Sequence, residues 1–195
     1  MRYYRLTDAV AARGRWFLGS PLSPAGEELD PRRFTNAEPA DVTGPLRLPL
    51  RRRGRPLDFT LADFDMPVAS ERLATHVAQL AGGAVQCIPV TVEGAAGPHA
   101  ILNVTRAVHC LDETASDILW WTAEDDRPDR IGQYRMVSDP VLDAARLQGE
   151  PLFRVDGWRI MLLVHEDVRR ALEGGRYTGL AFEEVPLSSG ARSRE

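Results

Sequence analysis

Residues 157–185 read GWRIMLLVHEDVRRALEGGRYTGLAFEEV, and this stretch decides the fold. Its first part, from Trp158 to Val164, is apolar on both faces of an extended strand, which is typical of a central strand in a sheet. An apolar helical stripe follows at spacings of 4, 3 and 1 residues: Val164, Val168, Ala171 and Leu172. The glycine pair 174–175 then stops the helix. The stretch therefore predicts a strand, a helix and a second strand ending near Val185.

A second copy of this pattern lies earlier in the chain. The apolar residues of 70–81 repeat the same helical spacing, and Ser70 stands at the N-cap position. The glycine pair 82–83 ends this helix, and residues 85–92 read as a strand. We interpret the two segments as two uses of one helix, Gly-Gly, strand unit.

The remaining elements are short strands joined by turn signals. We expect an N-terminal hairpin of residues 2–6 and 15–19, an edge strand at 46–50, a strand at 57–64, a hairpin of 85–92 with 100–108, strands at 118–122 and 134–137, and a hairpin of 152–155 with the strand after Asp156-Gly157. The fold class is predicted as α+β, a mixed, largely antiparallel sheet with two main helices packed on it. Residues 1–185 are expected to form a single domain with a long connector loop at 20–45, and 186–195 a flexible tail.

Composition restricts the class of protein. The chain has 195 residues, of which 44% are hydrophobic, and its formal net charge is −4. All 24 basic residues are Arg. Mild acidity argues against nucleic acid as a partner, and no apolar run approaches the ~20 residues of a membrane-spanning helix. The N-terminus lacks the apolar core of a signal peptide, so we expect a cytoplasmic protein with two free thiols.

Motifs that would indicate an enzyme or a metal site do not occur. The sequence has no HExxH, CxxC, GxSxG, Walker A or GxGxxG pattern, so no metal or cofactor is predicted. Cys87 lies inside a predicted strand as a small apolar residue, and His109 and Cys110 are adjacent on a strand and point to opposite faces. Paired carboxylates such as Asp63/Asp65 and Glu183/Glu184 could serve acid–base chemistry, but each also reads as a solvated cluster. A catalytic site of the Cys or carboxylate type stays open.

Two further features could belong to a surface that binds a partner. Arg51, Arg52, Arg53 and Arg55 form the one charge run, which favours a solvated turn over a site for an acidic partner or a phosphate. Trp120 and Trp121 alternate on a strand, so one of them could be exposed as a hot spot, although the core is favoured for both.

The chain resembles the Imm11 family of bacterial immunity proteins, once known only as a domain of unknown function, and especially its myxobacterial members. The segments that carry the resemblance are RYYRL (2–6), RWFLG (15–19), PLDFTLADFDMPVASERLA (56–74), ILNVTRAVHCLDE (101–113), RPDRIGQYRMVSDPVLDAARL (127–147) and residues 157–185. One departure is His165, where a small polar helix cap such as Ser is expected.

The resemblance implies a non-enzymatic, cytoplasmic protein that binds and neutralises a cognate toxin of a polymorphic toxin system. It carries over no catalytic residue. If the toxin is a nuclease, acidic side chains would oppose its basic cleft, so the candidates for partner binding are Glu124, Asp125, Asp126 and Asp129 in one loop and Glu27, Glu28 and Asp30 in another. The alternatives are a regulator that inhibits a cellular enzyme such as a protease, and an enzyme with a Cys or carboxylate site.

Overall fold

The structure is a computed structural model that describes residues 1–188. In this range it has two α-helices and sixteen strands, so the predicted α+β class is confirmed. The helices are Glu71–Leu80 (α1) and Glu166–Gly174 (α2). The strands, in chain order, are Tyr3–Asp8 (β1), Phe17–Leu18 (β2), Leu46–Leu48 (β3), Leu50–Arg52 (β4), Phe59–Ala62 (β5), Met66–Ser70 (β6), Val85–Val92 (β7), His99–Val104 (β8), Ala107–Val108 (β9), Ile118–Trp120 (β10), Tyr134–Val137 (β11), Leu142–Asp143 (β12), Leu152–Val155 (β13), Trp158–His165 (β14), Leu180–Val185 (β15) and Leu187–Ser188 (β16).

Two five-stranded sheets form the body of the protein, where the sequence led us to expect one. The terminal sheet has the order β15-β1-β14-β13-β9, and the central sheet has the order β3-β7-β8-β6-β5. β14 occupies the middle of the terminal sheet, and residues 161–164 are buried on both of its faces. The prediction of a central strand from its apolar faces is therefore confirmed.

The prediction of an N-terminal hairpin is wrong, because the two strands do not pair with each other. β1 lies between β14 and β15 and pairs antiparallel with both, whereas β2 pairs with β4. Tyr3 and Tyr4 point to opposite faces of β1, and both are buried in separate parts of the core. A strand that is buried on both faces is favoured inside a sheet with a neighbour on each edge, which a two-stranded hairpin cannot supply.

The central sheet contains the predicted hairpin of β7 and β8, and β3 is its edge strand as expected. The predicted strand 100–108 is divided. β8 ends at Val104 in the central sheet, and β9 pairs in parallel with β13 of the terminal sheet. Residues 105–106 therefore connect the two sheets directly.

Each helix belongs to its own supersecondary unit, and the two units are of the same type. β6, α1 and β7 follow each other in sequence, and β8 lies between the two strands, antiparallel to each. In the same way β14, α2 and β15 are consecutive, and β1 lies antiparallel between the two strands. Each unit is a split β-α-β arrangement with one antiparallel strand inserted. The repeat predicted from the glycine pairs is thus present, one copy in each sheet.

One apolar cluster joins both helices to both sheets. It contains residues of α1, α2, the terminal sheet and the central sheet, among them Leu73, Val77, Val168, Leu172, Leu6, Val164, Leu102 and Val104. Burial of a side chain of this size stabilises a fold by about 1.5–3 kcal/mol. The two split units therefore share one apolar core cluster.

The ends of the helices differ in detail from the predicted caps. α2 stops at Gly174 as expected, but the residue with left-handed backbone is Arg176 (φ 53°), and Gly175 has φ −73°. His165 caps α2 by accepting a hydrogen bond from the Asp167 backbone N–H on its Nδ1 atom (3.2 Å). Ser70 stands at the N-cap of α1 but its hydroxyl donates to Asp58 (2.8 Å).

The connector at 20–45 is packed against the central sheet. It contains a helical turn at Pro31–Phe34, and Phe34 is completely buried in the core cluster beneath that sheet. Leu22 bridges to Arg47 on the outer edge of β3. Of the predicted tail, Leu187 and Ser188 form β16 and pair with β12, and residues 189–195 lie outside the described part of the chain. No helix among residues 1–188 is long and apolar enough to cross a membrane.

Candidate functional site

An open hollow of about 1090 Å³ lies where the β10–β11 hairpin, the β13–β14 turn and the connector meet. Aromatic side chains and arginines dominate its lining. The lining residues are Arg32, Phe64, His109, Glu113, 120–121, 129–130, 132–135 and 156–160. We refer to this surface as the hollow. Its volume is about twice the 520 Å³ of a cleft between α1 and the β7–β8 hairpin.

Tyr134 forms one wall of the hollow and fixes its shape. Its ring packs edge-on against Trp120, with ring centroids 4.9 Å apart. Gly157 has φ +80°, and a Cβ atom there would lie 2.7 Å from the Tyr134 ring, so only glycine allows this turn to close against β11. The Tyr134 hydroxyl donates to Glu113 (2.5 Å), and burial together with that carboxylate raises the pKa of Tyr134. The ring of Tyr134 is thus held by contacts with Trp120 and Gly157, and its hydroxyl already donates a hydrogen bond to Glu113.

Phe64 is the most unusual residue of the hollow. It has φ 56° and ψ 39°, and Asp65 beside it has φ 53°, so two consecutive non-glycine residues adopt the left-handed conformation. This conformation is rare for a bulky residue and unfavourable by roughly 1–2 kcal/mol. Despite that strain, the Phe64 side chain is not buried, because 54% of the residue is exposed. Strained residues of this kind cluster at functional sites.

Arginines lie over two aromatic rings of the hollow, the exposed Phe64 and the half-buried Trp121. The guanidinium carbon of Arg32 is 3.9 Å from the centre of the Phe64 ring, and those of Arg135 and Arg130 are 4.9 and 5.5 Å from the centre of Trp121. Trp121 is outside the apolar clusters, so the expectation of a core position for both tryptophans holds only for Trp120, which packs against one. Aromatic residues and arginines are the side chains that dominate hot spots of protein interfaces.

The acidic loop predicted to bind a partner borders the hollow, and Asp129 is part of the lining. Two of its carboxylates are neutralised within the loop. Asp125 accepts the Thr122 backbone N–H (2.8 Å) and pairs with Arg135, and hydrogen bonds from Thr122 lower its pKa. Asp129 pairs with Arg127 (3.0 Å), which lowers the pKa of Asp129.

Glu124 and Asp126 are the two acids of this loop for which no basic group of residues 1–188 lies within 4.0 Å. Asp126 is held in the left-handed conformation, at φ 52°. Within this loop, the acidic side chains without a basic partner are therefore these two.

The second acidic segment is divided by the fold. Asp30 caps the helical turn at 31–34 by accepting the Arg32 backbone N–H (2.9 Å), and thus lies next to a lining residue of the hollow. Glu28 instead bridges to Leu22 beside the edge of the central sheet, and Glu27 precedes it. Neither Glu27 nor Glu28 lines the hollow, so the structure does not gather all the predicted acids onto one surface.

The geometry does not favour thiol catalysis. Cys110 is completely buried, and burial raises the pKa of its thiol to about 12. Its neighbour His109 is exposed and faces the hollow, so the two point apart as predicted. Cys87 pairs with Leu102 across the β7–β8 hairpin and His99 pairs with Val90, three positions along, which places Cys87 and His99 on opposite faces. Burial also raises the pKa of Cys87.

In the predicted carboxylate pair Asp63/Asp65, Asp63 is engaged by neighbouring side chains. Asp63 accepts hydrogen bonds from Arg51 (2.9 Å) and Ser20 (3.0 Å), and although burial alone would raise its pKa, those bonds lower it. Within residues 1–188, no three His, Cys, Asp or Glu side chains converge in a group that could hold a metal ion. What the hollow offers is a shaped surface of aromatic and guanidinium groups.

The hollow of this α+β scaffold combines an exposed Phe64, partly buried tryptophans and arginines stacked on aromatic rings, the types of side chain that are enriched at hot spots of protein interfaces. Comparison with known families gives the class of the protein. Residues 6–186 match the Imm11 immunity protein family, which is nearly the whole chain, and the protein belongs to this family. Membership implies a role in immunity to a toxin, and immunity proteins of this kind are generally non-enzymatic. A search of curated proteins finds no match to the chain.

Proposed function

We propose that the protein binds a cognate toxin through the hollow and blocks the action of that toxin. Family membership supplies the class of partner. The observation that carries the choice of surface is Phe64, which is held in a strained conformation and exposed beneath the guanidinium group of Arg32. A fold maintains such strain where the side chain has a use outside the core.

Most of the binding free energy at the hollow would come from burial of its apolar side chains. Phe64 and Ile160 are 54% and 43% exposed, and both would lose their contact with water beneath a partner. Arg32, Arg130 and Arg135 are already positioned over aromatic rings, so little side-chain freedom is lost when they contact the toxin. Inhibition would then follow from coverage of the toxin surface and would need no chemistry.

In this proposal the acidic loop 124–129 forms the rim of the hollow and contacts the edge of the bound toxin. Glu124 and Asp126 would speed association with a basic toxin, while Asp125 and Asp129 would chiefly hold the loop in shape through Arg135 and Arg127. Asp30 would take part through its neighbour Arg32, and Glu27 and Glu28 would meet only a partner large enough to reach the edge of β3. A nuclease with a basic cleft is the partner that fits this rim.

The proposal places the protein in the cytoplasm as one domain. Both cysteines are free thiols, which agrees with a reducing compartment. The apolar cluster shared by both helices and both sheets supports a single cooperative unit.

The test is co-purification with the toxin-like protein encoded beside this gene, combined with a growth-protection assay. We expect Phe64→Ala together with Ile160→Ala to weaken binding by about 30- to 1000-fold, on the basis of about 1–2 kcal/mol for each exposed anchor. The matched control is Leu119→Ala with Met136→Ala. These two residues are 50% and 52% exposed, are paired directly across the β10–β11 hairpin and lie outside the lining of the hollow.

Equal losses in the two double variants would contradict the choice of the hollow while leaving the toxin as partner. A neighbouring gene product that is harmless and does not bind would overturn the immunity function itself. Capture of a housekeeping enzyme in its place would favour the alternative of a cellular regulator.

A further inference from the structure

A second surface of the protein is strongly basic although the whole chain is acidic. Arg13, Arg52, Arg53 and Arg55 are all exposed and lie on two adjacent segments. Within residues 1–188, no carboxylate lies within 4.0 Å of their charged groups, and none of the four lines the hollow. We refer to these four arginines as the basic surface. In a chain of net charge −4, they concentrate four uncompensated positive charges in one place.

Two arginines next to the basic surface, Arg15 and Arg51, do have carboxylate partners. Arg15 forms a buried ion pair with Asp8, and Arg51 pairs with Asp63 at 2.9 Å. Each therefore has an acidic partner within the fold, although Arg15 is two residues from Arg13 and Arg51 directly precedes Arg52. Arg15 is buried with its acid, and Arg51 is exposed but still paired, whereas the four arginines of the basic surface are exposed and have no carboxylate within 4.0 Å in the described range.

The two segments are held rigidly together. The Arg55 backbone N–H donates to the Gly14 carbonyl (2.7 Å), and the Trp16 backbone N–H donates to the Arg55 carbonyl (3.2 Å). Gly54 packs so closely against the carbonyl groups of Gly14 and Arg15 that a Cβ atom would collide with both. The backbone that carries the arginines is thus ordered in advance, which lowers the entropy lost on binding.

The chemistry of the surface selects one kind of partner. We propose that the basic surface binds an acidic segment of a partner protein through guanidinium–carboxylate contacts, in addition to any contact made at the hollow. The planar guanidinium group matches a carboxylate with two parallel hydrogen bonds. The arginines elsewhere in this fold are mostly satisfied by carboxylates of the chain itself.

Nucleic acid fits the surface less well. The aromatic ring within it, Phe17, is already contacted by the guanidinium groups of Arg52 (4.0 Å) and Arg15 (4.5 Å), so it is not free to stack on a base. Proteins that hold a duplex electrostatically contact roughly six to ten phosphates, more than four clustered arginines can neutralise.

The experiment measures fluorescence anisotropy of a labelled peptide of ten glutamates against the full chain at low ionic strength. The test variant carries Arg13→Gln, Arg53→Gln and Arg55→Gln. The control carries Arg33→Gln, Arg47→Gln and Arg176→Gln, which remove three other exposed arginines without a carboxylate within 4.0 Å in the described range and give the same net charge. We expect the test variant to bind the peptide about tenfold more weakly and the control to change by less than about twofold.

Equal weakening in both variants, or no binding of the peptide by the native chain, would overturn the proposal. Tighter binding of a 20-base-pair DNA duplex or of phosphatidylserine vesicles than of the peptide would overturn it in favour of a phosphate-bearing partner. Circular dichroism of each variant checks that these surface substitutions leave the fold intact. The outcome is independent of the toxin assay, because none of the six positions lines the hollow.

Discussion

Arg154 is buried in the middle of the fold with much of its hydrogen-bonding capacity unused. Its Nη1 atom donates to the Arg159 carbonyl (2.7 Å), but Nε and Nη2 have no partner within residues 1–188. Burial lowers the pKa of Arg154 to about 10, and the nearby charge of Asp65 opposes part of that shift. A folded-state pKa below the unfolded value means that the charged form destabilises the fold at every pH below about 10.

We therefore expect Arg154→Met to raise the free energy of unfolding by about 1–3 kcal/mol at pH 7, since replacement of an under-bonded buried charge by an apolar side chain is often stabilising. Chemical denaturation measures the difference. Arg47→Met, at an exposed position, is the control and should change stability by less than about 0.5 kcal/mol. A loss of stability in Arg154→Met would show that the single bond to Arg159 outweighs the desolvation of the charge.

Phe64 gives the second prediction at this scale. Glycine at position 64 should make the protein about 1 kcal/mol more stable than alanine there, because only glycine adopts φ 56° without a Cβ penalty. Both variants should lose affinity for the toxin, since both lack the ring. Thermal or denaturant unfolding of the two variants compares their stability. The reverse order would mean that residue 64 relaxes out of the left-handed conformation when the ring is removed.

Elements that are determined by nearby residues could be predicted from the sequence. Elements that depend on contacts between residues far apart in the chain could not. The β14–α2–β15 unit follows from apolar spacing and a glycine pair within 28 residues of chain. The partners of β1 are more than 150 residues away, so the adjacent strand was chosen in their place. The left-handed conformation of Phe64 gave no signal in the sequence, because position 64 lacks the glycine that normally marks this conformation. The pairing of Asp125 with Arg135 likewise requires the β10–β11 hairpin to be closed.

Asp58 links elements of the two sheets and should make that link sensitive to acid. Its carboxylate accepts the Thr178 backbone N–H (2.9 Å), the Thr178 hydroxyl (2.8 Å) and the Ser70 hydroxyl (2.8 Å), at the point where β5 approaches the α2–β15 loop. Burial alone would raise its pKa, but these hydrogen bonds lower it below 3.8. The stabilisation is thus fully present above pH 3.8 and is lost as pH falls through the folded-state pKa.

We expect Asp58→Asn to be less stable than the native chain at pH 7 and to differ from it progressively less as the pH is lowered below about 4. Denaturant titrations at pH 7, 5 and 3 measure the two curves. Asp126→Asn, at a carboxylate without a basic partner within 4.0 Å in the described range, serves as the control and should follow the native curve. Parallel curves for Asp58→Asn and the native chain would show that the carboxylate charge does not hold this junction.

At the scale of the whole molecule, two split β-α-β units of the same design are packed into one body. Each sheet has its own helix, yet the apolar faces of both helices enter one cluster with strands of both sheets. The chain also passes directly from the central to the terminal sheet through residues 105–106. Neither unit can bury its helix fully without the other. The hollow is built at this junction, since its lining comes from the connector beneath the central sheet and from turns of the terminal sheet.

A shared core predicts that the molecule unfolds as one unit. Leu73 of α1 is fully buried in the common cluster, so Leu73→Ala should lower the free energy of unfolding by about 2–5 kcal/mol. Native-state hydrogen exchange should report this loss equally at the amides of Ile101 in β8 and Leu163 in β14, although only β8 lies in the same sheet as the strands flanking α1. Leu119→Ala, on the surface, should leave both amides unchanged. A loss confined to Ile101 would divide the protein into two independent domains, and the hollow would then lie at a movable interface.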